Sequence, residues 1–318
     1  MKKIFFYIFI GIVSILLLSY FVVVCYKDIK DIKVETDIKG KEISKNEYIY
    51  KEELLLLGYT INEIDIIEKK TNTEDVKKYL LNKKYDNLIN YLSSNYFNAQ
   101  NIERYEEYYK NNNSIEKTII DVEIGLDKEF YTDIKNTDTN DGILMLVNKY
   151  NKLNEDYIGN LVNIEENYGT GMLDKEAYIH FKEMCDEASK EGIILKSVSA
   201  YRSYTKQQQL YNNYVARDGI TKADTYSARP GHSEHQTGLA IDINTSKTLD
   251  HFENTKEYKW LINNSYKYGF ILRYPENKTH ITGYQYEPWH YRYIGINNAF
   301  KLYQNNLTYE EYYVKFVK

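Results

Sequence analysis

The sequence is poor in the residues that build disulfide scaffolds and rigid turns, since its 318 residues include two cysteines and three prolines. The cysteines, Cys25 and Cys185, are too few for a disulfide-rich scaffold or for a multi-cysteine zinc finger. The prolines, Pro230, Pro275 and Pro288, all lie in one C-terminal stretch. This uneven distribution indicates that the two ends of the chain are built differently.

An excess of charge of one sign is also lacking, because 41 Lys and Arg residues face 46 Asp and Glu residues, for a formal net charge of −5. A mildly acidic chain does not carry the clustered positive charge with which proteins bind the nucleic-acid backbone, so we expect no nucleic-acid partner. With 43% hydrophobic residues and 35 tyrosines, the chain has ample material for a packed core. This composition excludes global disorder.

Near the N-terminus, residues 4–26 contain no charged side chain, and two lysines precede them. As a helix this segment would be about 34 Å long, which is enough to cross the hydrocarbon core of a bilayer. A cleaved signal peptide is the alternative, but a run of valines ending at Val24 stands where a cleavage site needs small residues. We therefore predict a single-pass membrane anchor at residues 1–26 and a tether at residues 27–45, with the remainder of the chain extracytoplasmic.

Residues 46–115 show short helical patterns and no candidate chemistry, because no histidine precedes His180. The capping-box motif that opens a helix occurs twice, at Thr60-x-x-Glu63 and Thr71-x-x-Glu74. A further segment repeats apolar residues with the spacing of a helix face, at Ile102, Tyr105 and Tyr109. We predict a small helical region of unknown role here, followed by a connecting segment at residues 116–167.

Residues 168–318 alternate helical and strand patterns. An amphipathic helix ending near Gly192 is indicated by an apolar stripe of Leu173, Ala177, Phe181, Met184, Cys185 and Ala188. Strands are predicted at Ile193–Val198, Leu239–Ile243 and Phe270–Leu272. Further helices are predicted at Thr205–Val215 and after the capping box Thr308-x-x-Glu311. This mixed order with hairpin-like returns predicts an α+β domain.

Polar residues of this region concentrate in two short stretches, 229–242 and 287–290. Two histidines and one aspartate can supply three zinc ligands and leave the fourth position for water. Asp242 lies between two isoleucines in a strand pattern, where a buried and unpaired carboxylate is costly, so a bound cation is a natural partner. From this residue alone, a carboxylate that accepts hydrogen bonds from backbone amides is an equally good interpretation. Glu287 can take the proton from zinc-bound water, and a surface glutamate beside a packed Trp–His pair is the alternative. No helical His-Glu-x-x-His signature is present.

Three motifs follow one another in this region: Ser199-Ala200-Tyr201-Arg202-Ser203-Tyr204, Ser233-x-His235-x-x-Gly238-x-Ala240-x-Asp242 and Glu287-x-Trp289-His290. With them the chain resembles the VanY-type D-alanyl-D-alanine carboxypeptidases, zinc peptidases related in fold to VanX-type dipeptidases and to the hedgehog zinc domain. The resemblance covers roughly residues 140–318. The sequence departs from the family pattern at Ala200, where glycine is common before the Tyr-Arg pair.

The resemblance implies a role for each matched position. The implied ligands of one zinc ion are His235, Asp242 and His290. The implied substrate-binding residues are Arg202, Gln207, Ser233 and Trp289. Glu287 would be the general base and then the acid for the leaving amine, and Arg202 would stabilise the substrate carbonyl as it becomes an oxyanion. The motif selects His235 rather than His232 as the ligand, so we predict His232 at the pocket rim.

The predicted fold is therefore α+β: a hedgehog/DD-peptidase-like zinc domain at residues 168–318, with a small antiparallel sheet and flanking helices, preceded by a transmembrane helix and a small helical region. The predicted function is zinc-dependent removal of the C-terminal D-alanine from peptidoglycan stem peptides, outside a bacterial cell membrane. One alternative is an LD-carboxypeptidase acting on tetrapeptide stems, with the same zinc chemistry. The other is a non-catalytic cell-wall-binding or docking module, against which the intact Glu287 and Arg202 weigh.

Overall fold

The computed structural model of the chain describes residues 45–245, 247 and 250–318. The predicted membrane anchor at residues 1–26 and the predicted tether, apart from its last residue, lie outside the described residues. Within the described part of the chain, no helix combines the length and the apolar character needed to cross a membrane.

The chain divides into two compact units between Lys84 and Tyr85. The described part of the first unit consists of α1 (Lys45–Leu56), α2 (Ile61–Lys70), α3 (Thr73–Asp75) and a π-helical turn (Val76–Leu80). Its fully buried side chains include Leu54, Ile67 and Leu80, which form the apolar interior of this helical unit.

Of the three predicted capping boxes, those at Thr60 and Thr308 are confirmed and the one at Thr71 is wrong. The Thr60 side chain accepts the N–H of Glu63, whose carboxylate accepts the N–H of Thr60 at 2.7 Å. The next helix is capped one residue later than predicted, because Asn72 accepts the N–H of Asp75 at 2.8 Å. The Thr71 hydroxyl instead donates to the carbonyl of Ile67 at 2.6 Å and ends the preceding helix.

The second unit opens with helices and continues as a mixture of helices and strands. Its helices are α4 (Leu88–Tyr91), α5 (Ile102–Asn112), α6 (Ile115–Ile124), α7 (Lys175–Lys190), α8 (Tyr204–Asp218), α9 (Ile220–Ala223), α10 (Lys256–Asn264), α11 (Thr279–Thr282), α12 (Ile296–Asn305) and α13 (Tyr309–Phe316). Its strands are β1 (Lys135–Asn136), β2 (Asn151–Lys152), β3 (Leu161–Asn163), β4 (Met172–Asp174), β5 (Lys196–Ser199), β6 (Ala240–Asn244), β7 (Phe270–Leu272) and β8 (His290–Tyr293).

Helix α6 packs on α13, the C-terminal helix of this unit. Ile120 and Ile124 of α6 share an apolar cluster with Val314 of α13. An ion pair of 3.0 Å between Lys315 and Glu116 connects the same two helices. Because the boundary between the units falls between Lys84 and Tyr85, the predicted helical region of residues 46–115 contributes to both units. The other predicted domain limits stay predictions.

The central sheet of the second unit is antiparallel and has the strand order β5–β6–β8–β7. The predicted apolar stripe of α7 is buried against it, with Phe181 and Met184 fully buried and Cys185 among their neighbours. The predicted class, a mixed helix and sheet fold with small sheets, is confirmed. Two further strand pairs, β1–β2 and β3–β4, lie outside the central sheet.

One strand begins later than predicted. The apolar run from Ile193 suggests a strand at that point, but β5 begins at Lys196. Ile193 and Leu195 are buried in the same apolar core as α7. They are apolar because the connection from α7 crosses the core before the strand pairing starts.

Candidate active site

Two neighbouring strands of the central sheet bring the predicted metal ligands together. Asp242 in β6 lies opposite His290 in β8 in antiparallel register. His235 comes from the short 3₁₀ turn Glu234–Thr237, which reaches β6 through Gly238, whose φ of 74° favours glycine. One ligand atom from each of His235, Asp242 and His290 lies within 4.8 Å of the other two. The three side chains can therefore share one ion.

The Asp242 carboxylate lies between two imidazoles. Its Oδ2 is 3.4 Å from Nε2 of His235, and its Oδ1 is 3.2 Å from Nδ1 of His290 without forming a hydrogen bond. Burial would raise the pKa of Asp242, but the adjacent imidazoles hold it well below its usual range. A buried, ionised oxygen without a donor is the environment that a metal cation completes.

Glu287 lies beside these three side chains, with its Oε2 3.5 Å from Nδ1 of His290. Its side chain is almost fully buried, and burial raises its pKa to about 7. A carboxyl group that titrates near neutral pH is suited to both accepting and returning a proton. We call His235, Asp242, Glu287 and His290 the metal cluster.

The end of β5 fixes one histidine and positions Arg202. After a register shift between Ser197 and Ser199, the chain leaves the sheet at Ala200. The carbonyl of Ala200 lies 2.6 Å from Nδ1 of His235. Because a carbonyl oxygen can only accept, Nδ1 carries the proton, and the lone pair of Nε2 points toward Asp242.

The Arg202 guanidinium is held by side chains that surround it. It donates to Oε1 of Gln207 at 2.8 Å and to Oγ of Ser199 at 3.1 Å. The Gln207 amide also donates to the carbonyl of Ala228 at 2.7 Å. Gln207 is buried, and its observed contacts orient the arginine.

A single pocket is lined by every predicted site residue. These are Arg202, Gln207, Ser233, His235, Asp242, Glu287, Trp289 and His290. The remaining wall includes four tyrosines, none of which was predicted as a site residue: Tyr214, Tyr226, Tyr274 and Tyr284. The pocket therefore combines a metal-ligand set, a carboxyl group with a raised pKa and a fixed guanidinium.

Comparisons with known proteins identify the family. Residues 170–296 match the family model described as VanY, D-alanyl-D-alanine carboxypeptidase. The protein YodJ of Bacillus subtilis (strain 168), named as a carboxypeptidase, is 43% identical over 213 residues, which are 62% of this chain and 78% of YodJ. The chain belongs to the VanY family.

Two further relatives agree with this assignment. A D-alanyl-D-alanine carboxypeptidase of Enterococcus faecalis (strain ATCC 700802 / V583) is 40% identical over 178 residues, which are 53% of this chain and 65% of that protein. The structure of the LdcB LD-carboxypeptidase matches with a TM-score of 0.55 and 41% identity, and the match covers 59% of this chain and 92% of LdcB. The predicted VanY-type family, the metallopeptidase class and the zinc cofactor are confirmed.

The remaining histidines lie outside the VanY pocket lining. His232, which we predicted at the rim, is buried instead: its Nδ1 lies 2.8 Å from the carbonyl of Asn148, and its ring contacts Tyr131 edge to face. His251 and His280 are exposed. His180 lies 2.9 Å from a carboxylate oxygen of Glu183. His232 is three residues from His235, but its contacts with Asn148 and Tyr131 hold its ring away from the proposed metal ligands.

Sequence reasoning missed a second set of buried charges behind the metal cluster. Arg273 donates to Glu234 at 2.8 Å and to both carboxylate oxygens of Glu310, at 2.6 and 3.0 Å. Arg292 donates to the same oxygen of Glu234 at 2.9 Å. All four side chains are essentially unexposed. We call Glu234, Arg273, Arg292 and Glu310 the arginine cluster. The available signal was an arginine directly after the predicted strand Phe270–Leu272 and a second arginine between Tyr291 and Tyr293.

Proposed function

We propose that this chain is a zinc carboxypeptidase that removes the C-terminal D-alanine from peptidoglycan stem peptides. The observation that carries the proposal is the convergence of His235, Asp242 and His290 within 4.8 Å. Glu287 at the edge of the same pocket and Arg202 in its wall supply the other groups that peptide hydrolysis requires. Membership of the VanY family supports the same substrate class.

Each step of the reaction can be given to a group of this chain. Two imidazoles and one carboxylate would hold zinc and leave a coordination position open. When bound, the ion polarises the substrate carbonyl and makes water more acidic. Glu287 takes the proton of the attacking water on its carboxylate and returns it to the nitrogen of the leaving D-alanine. Arg202 donates to the carbonyl oxygen as negative charge develops there.

The substrate's C-terminal end would lie in the pocket lined by Ser233 and Trp289. Ser233 offers a hydroxyl next to the metal cluster, and Trp289 closes one side as an aromatic wall. Gln207 acts on the substrate through Arg202, since its amide oxygen accepts from that guanidinium. A fixed arginine requires no reorganisation when the carbonyl oxygen becomes charged.

Mass spectrometry of synthetic stem peptides tests the proposal. The purified chain is incubated with pentapeptide and tetrapeptide stems, with and without a chelator. We expect loss of one D-alanine from the pentapeptide and none in the presence of the chelator. Hydrolysis that persists in the chelator, or a pentapeptide that stays intact with zinc-loaded protein, would contradict the proposed function.

The same assay addresses a second candidate, an LD-carboxypeptidase, which the likeness to LdcB favours. The zinc chemistry of the two activities is identical, and the difference lies in the configuration of the residue before the scissile bond. Faster hydrolysis of the tetrapeptide than of the pentapeptide would assign the chain to this class.

We also propose that residues 1–26 anchor the enzyme in a bacterial cell membrane, with the catalytic region outside the cytoplasm. The support is the uncharged run of residues 4–26 and the basic residues before it. Carbonate extraction should leave the full chain in the membrane fraction, and protease added to intact spheroplasts should degrade the catalytic region. Release by carbonate, or protection from the protease, would contradict the anchor or its orientation.

A further inference from the structure

Glu234 is buried between the two clusters and leaves one oxygen without a partner. Its Oε1 accepts from Nε of Arg273 at 2.8 Å and from Nη1 of Arg292 at 2.9 Å. Its Oε2 is buried, has no hydrogen-bond partner and lies 3.7 Å from Nε2 of His290. That nitrogen is also buried without a hydrogen-bond partner. Two orphaned polar atoms of complementary type therefore face each other.

The protonation of the two partners favours a hydrogen bond between them. Both Arg273 and Arg292 donate to Oε1 of Glu234, and these two charge-assisted hydrogen bonds favour the ionised carboxylate. The carboxylate is thus ionised and can only accept. When Nδ1 of His290 serves as a metal ligand, Nε2 is the ring nitrogen that keeps a proton, and Oε2 of Glu234 is the acceptor that faces it.

The other nitrogen of His290 faces the metal cluster. Nδ1 lies 3.2 Å from Oδ1 of Asp242 and 3.5 Å from Oε2 of Glu287. If Nε2 keeps its proton, the lone pair of Nδ1 is directed at the position that the three ligands share. In His235 the two nitrogens have exchanged roles: Nδ1 carries the proton, because it faces the backbone carbonyl of Ala200, and Nε2 has the free lone pair.

The rest of the arginine cluster makes Glu234 a rigid acceptor. Arg273 is held by the bidentate contact with Glu310 of α13. Arg292 also donates to the carbonyls of Ile143 and Met145, at 3.0 and 2.9 Å. The carboxylate of Glu234 is therefore fixed from two directions by side chains that are themselves fixed.

We propose that Glu234 is a positioning residue for the metal site, whose Oε2 accepts the Nε2 proton of His290 and so directs Nδ1 of that ring at the ion. The inference rests on the proposed zinc site and deepens it by assigning its outer support. Carboxylates that hydrogen-bond a ligating histidine orient the ring and raise its basicity, and their loss weakens metal binding by about 10- to 100-fold.

Metal affinity of matched variants of the full chain tests this role. Zinc binding is measured by competition with a chromophoric chelator for the wild type, Glu234→Gln, Glu234→Asp and Glu310→Gln. The last variant removes the same charge from Arg273 without touching His290. We expect affinity to fall about 10- to 100-fold in both Glu234 variants and less than about threefold in Glu310→Gln. Cobalt loading should change the visible d–d spectrum in the Glu234 variants alone.

Equal affinities in the Glu234 variants and in Glu310→Gln would overturn the inference and leave the zinc site intact. A wild-type chain that binds no zinc would instead remove the proposed function itself. Should the variants fail to fold, long-range ¹H–¹⁵N correlation of the imidazoles in zinc-loaded wild type decides the matter. A protonated Nε2 and a metal-bound Nδ1 in His290 support the proposal, and the reverse tautomer overturns it.

Discussion

The metal cluster and the arginine cluster lie side by side, and their charges are handled in opposite ways. In the arginine cluster, two guanidiniums and two carboxylates are paired within 2.6–3.0 Å. In the metal cluster, the two carboxylates face imidazoles, and among the described residues no lysine or arginine forms an ion pair with either. The charges of the arginine cluster balance within the folded chain, whereas those of the metal cluster are balanced by a bound cation.

A proton partly supplies this missing charge in the metal-free site. Burial would lower the pKa of His290, but contacts with Asp242 and Glu234 raise it to about 9. A metal ion has to displace a proton from this ring, so zinc binding should weaken as the pH falls. Glu234 and His235 are adjacent in sequence but belong to different clusters. The charges around Glu234 balance within the folded chain, whereas the site of His235 is completed by a metal ion.

The largest effect is expected when the metal cluster loses a ligand. His235→Ala should lose stoichiometric zinc, because only two of the three proposed ligands remain. Turnover should fall by at least about 10⁴-fold, since the contribution of the general base disappears together with the ion. Zinc content by atomic emission and release of D-alanine measure the two effects. His232→Ala is the matched control, and zinc retained in His235→Ala but lost in His232→Ala would exchange their roles.

The next largest effect separates chemistry from metal binding within the same cluster. Glu287→Gln keeps the shape of the side chain but removes its basicity, so the variant should bind zinc normally. Turnover should fall by about 10²- to 10⁴-fold, the usual contribution of a positioned general base. Kinetic constants on the pentapeptide stem, with zinc content measured on the same sample, provide the test. Hydrolysis at the wild-type rate would exclude Glu287 from the mechanism.

The sequence was sufficient to identify the metal cluster and insufficient to identify the arginine cluster. His235, Asp242, Glu287 and His290 occur in short motifs whose order and spacing are specific. Glu310 belongs to no such motif: it lies 37 residues after its partner Arg273. Buried charges of this kind are tolerated only because tertiary packing pairs them, and pairing over that distance leaves no local pattern.

Local physics explains the smaller errors in the predicted fold. Apolar periodicity located α7 and the strands, because burial of one face follows directly from side-chain spacing. It misplaced the start of β5, because Ile193 is buried without being in a strand. The choice between Thr71 and Asn72 as a helix cap was decided by a hydrogen bond to the preceding helix, which sequence spacing does not reveal.

Removing one carboxylate from the arginine cluster should lower the free energy of unfolding and leave the zinc affinity nearly unchanged. Glu310→Gln leaves the buried Arg273 with one carboxylate, Glu234, which it shares with Arg292. Removal of one partner from a buried ion pair costs about 3–5 kcal/mol in the free energy of unfolding. Urea denaturation of the zinc-loaded chain measures the loss.

A matched control for this stability loss is Glu187→Gln, which breaks the exposed pair with Lys190. Exposed pairs contribute about 0–1 kcal/mol, so this variant should unfold close to the wild-type midpoint. Equal destabilisation by the two substitutions would mean that the arginine cluster is not a structural support.

The smallest expected effect concerns the pH dependence of the metal-free chain. The pKa of Glu287 is about 7 in the folded chain against an ordinary value of 4.5, because burial disfavours its charge. The folded state therefore binds more protons than the unfolded state between these values, and stability falls as the pH rises through them. Glu287→Gln lacks this loss, so in the presence of a chelator its stability should match that of the wild type at about pH 4 and exceed it by about 3 kcal/mol at about pH 8. Urea denaturation at both pH values measures the difference, and a constant difference would show that Glu287 is not held in an unfavourable charged state.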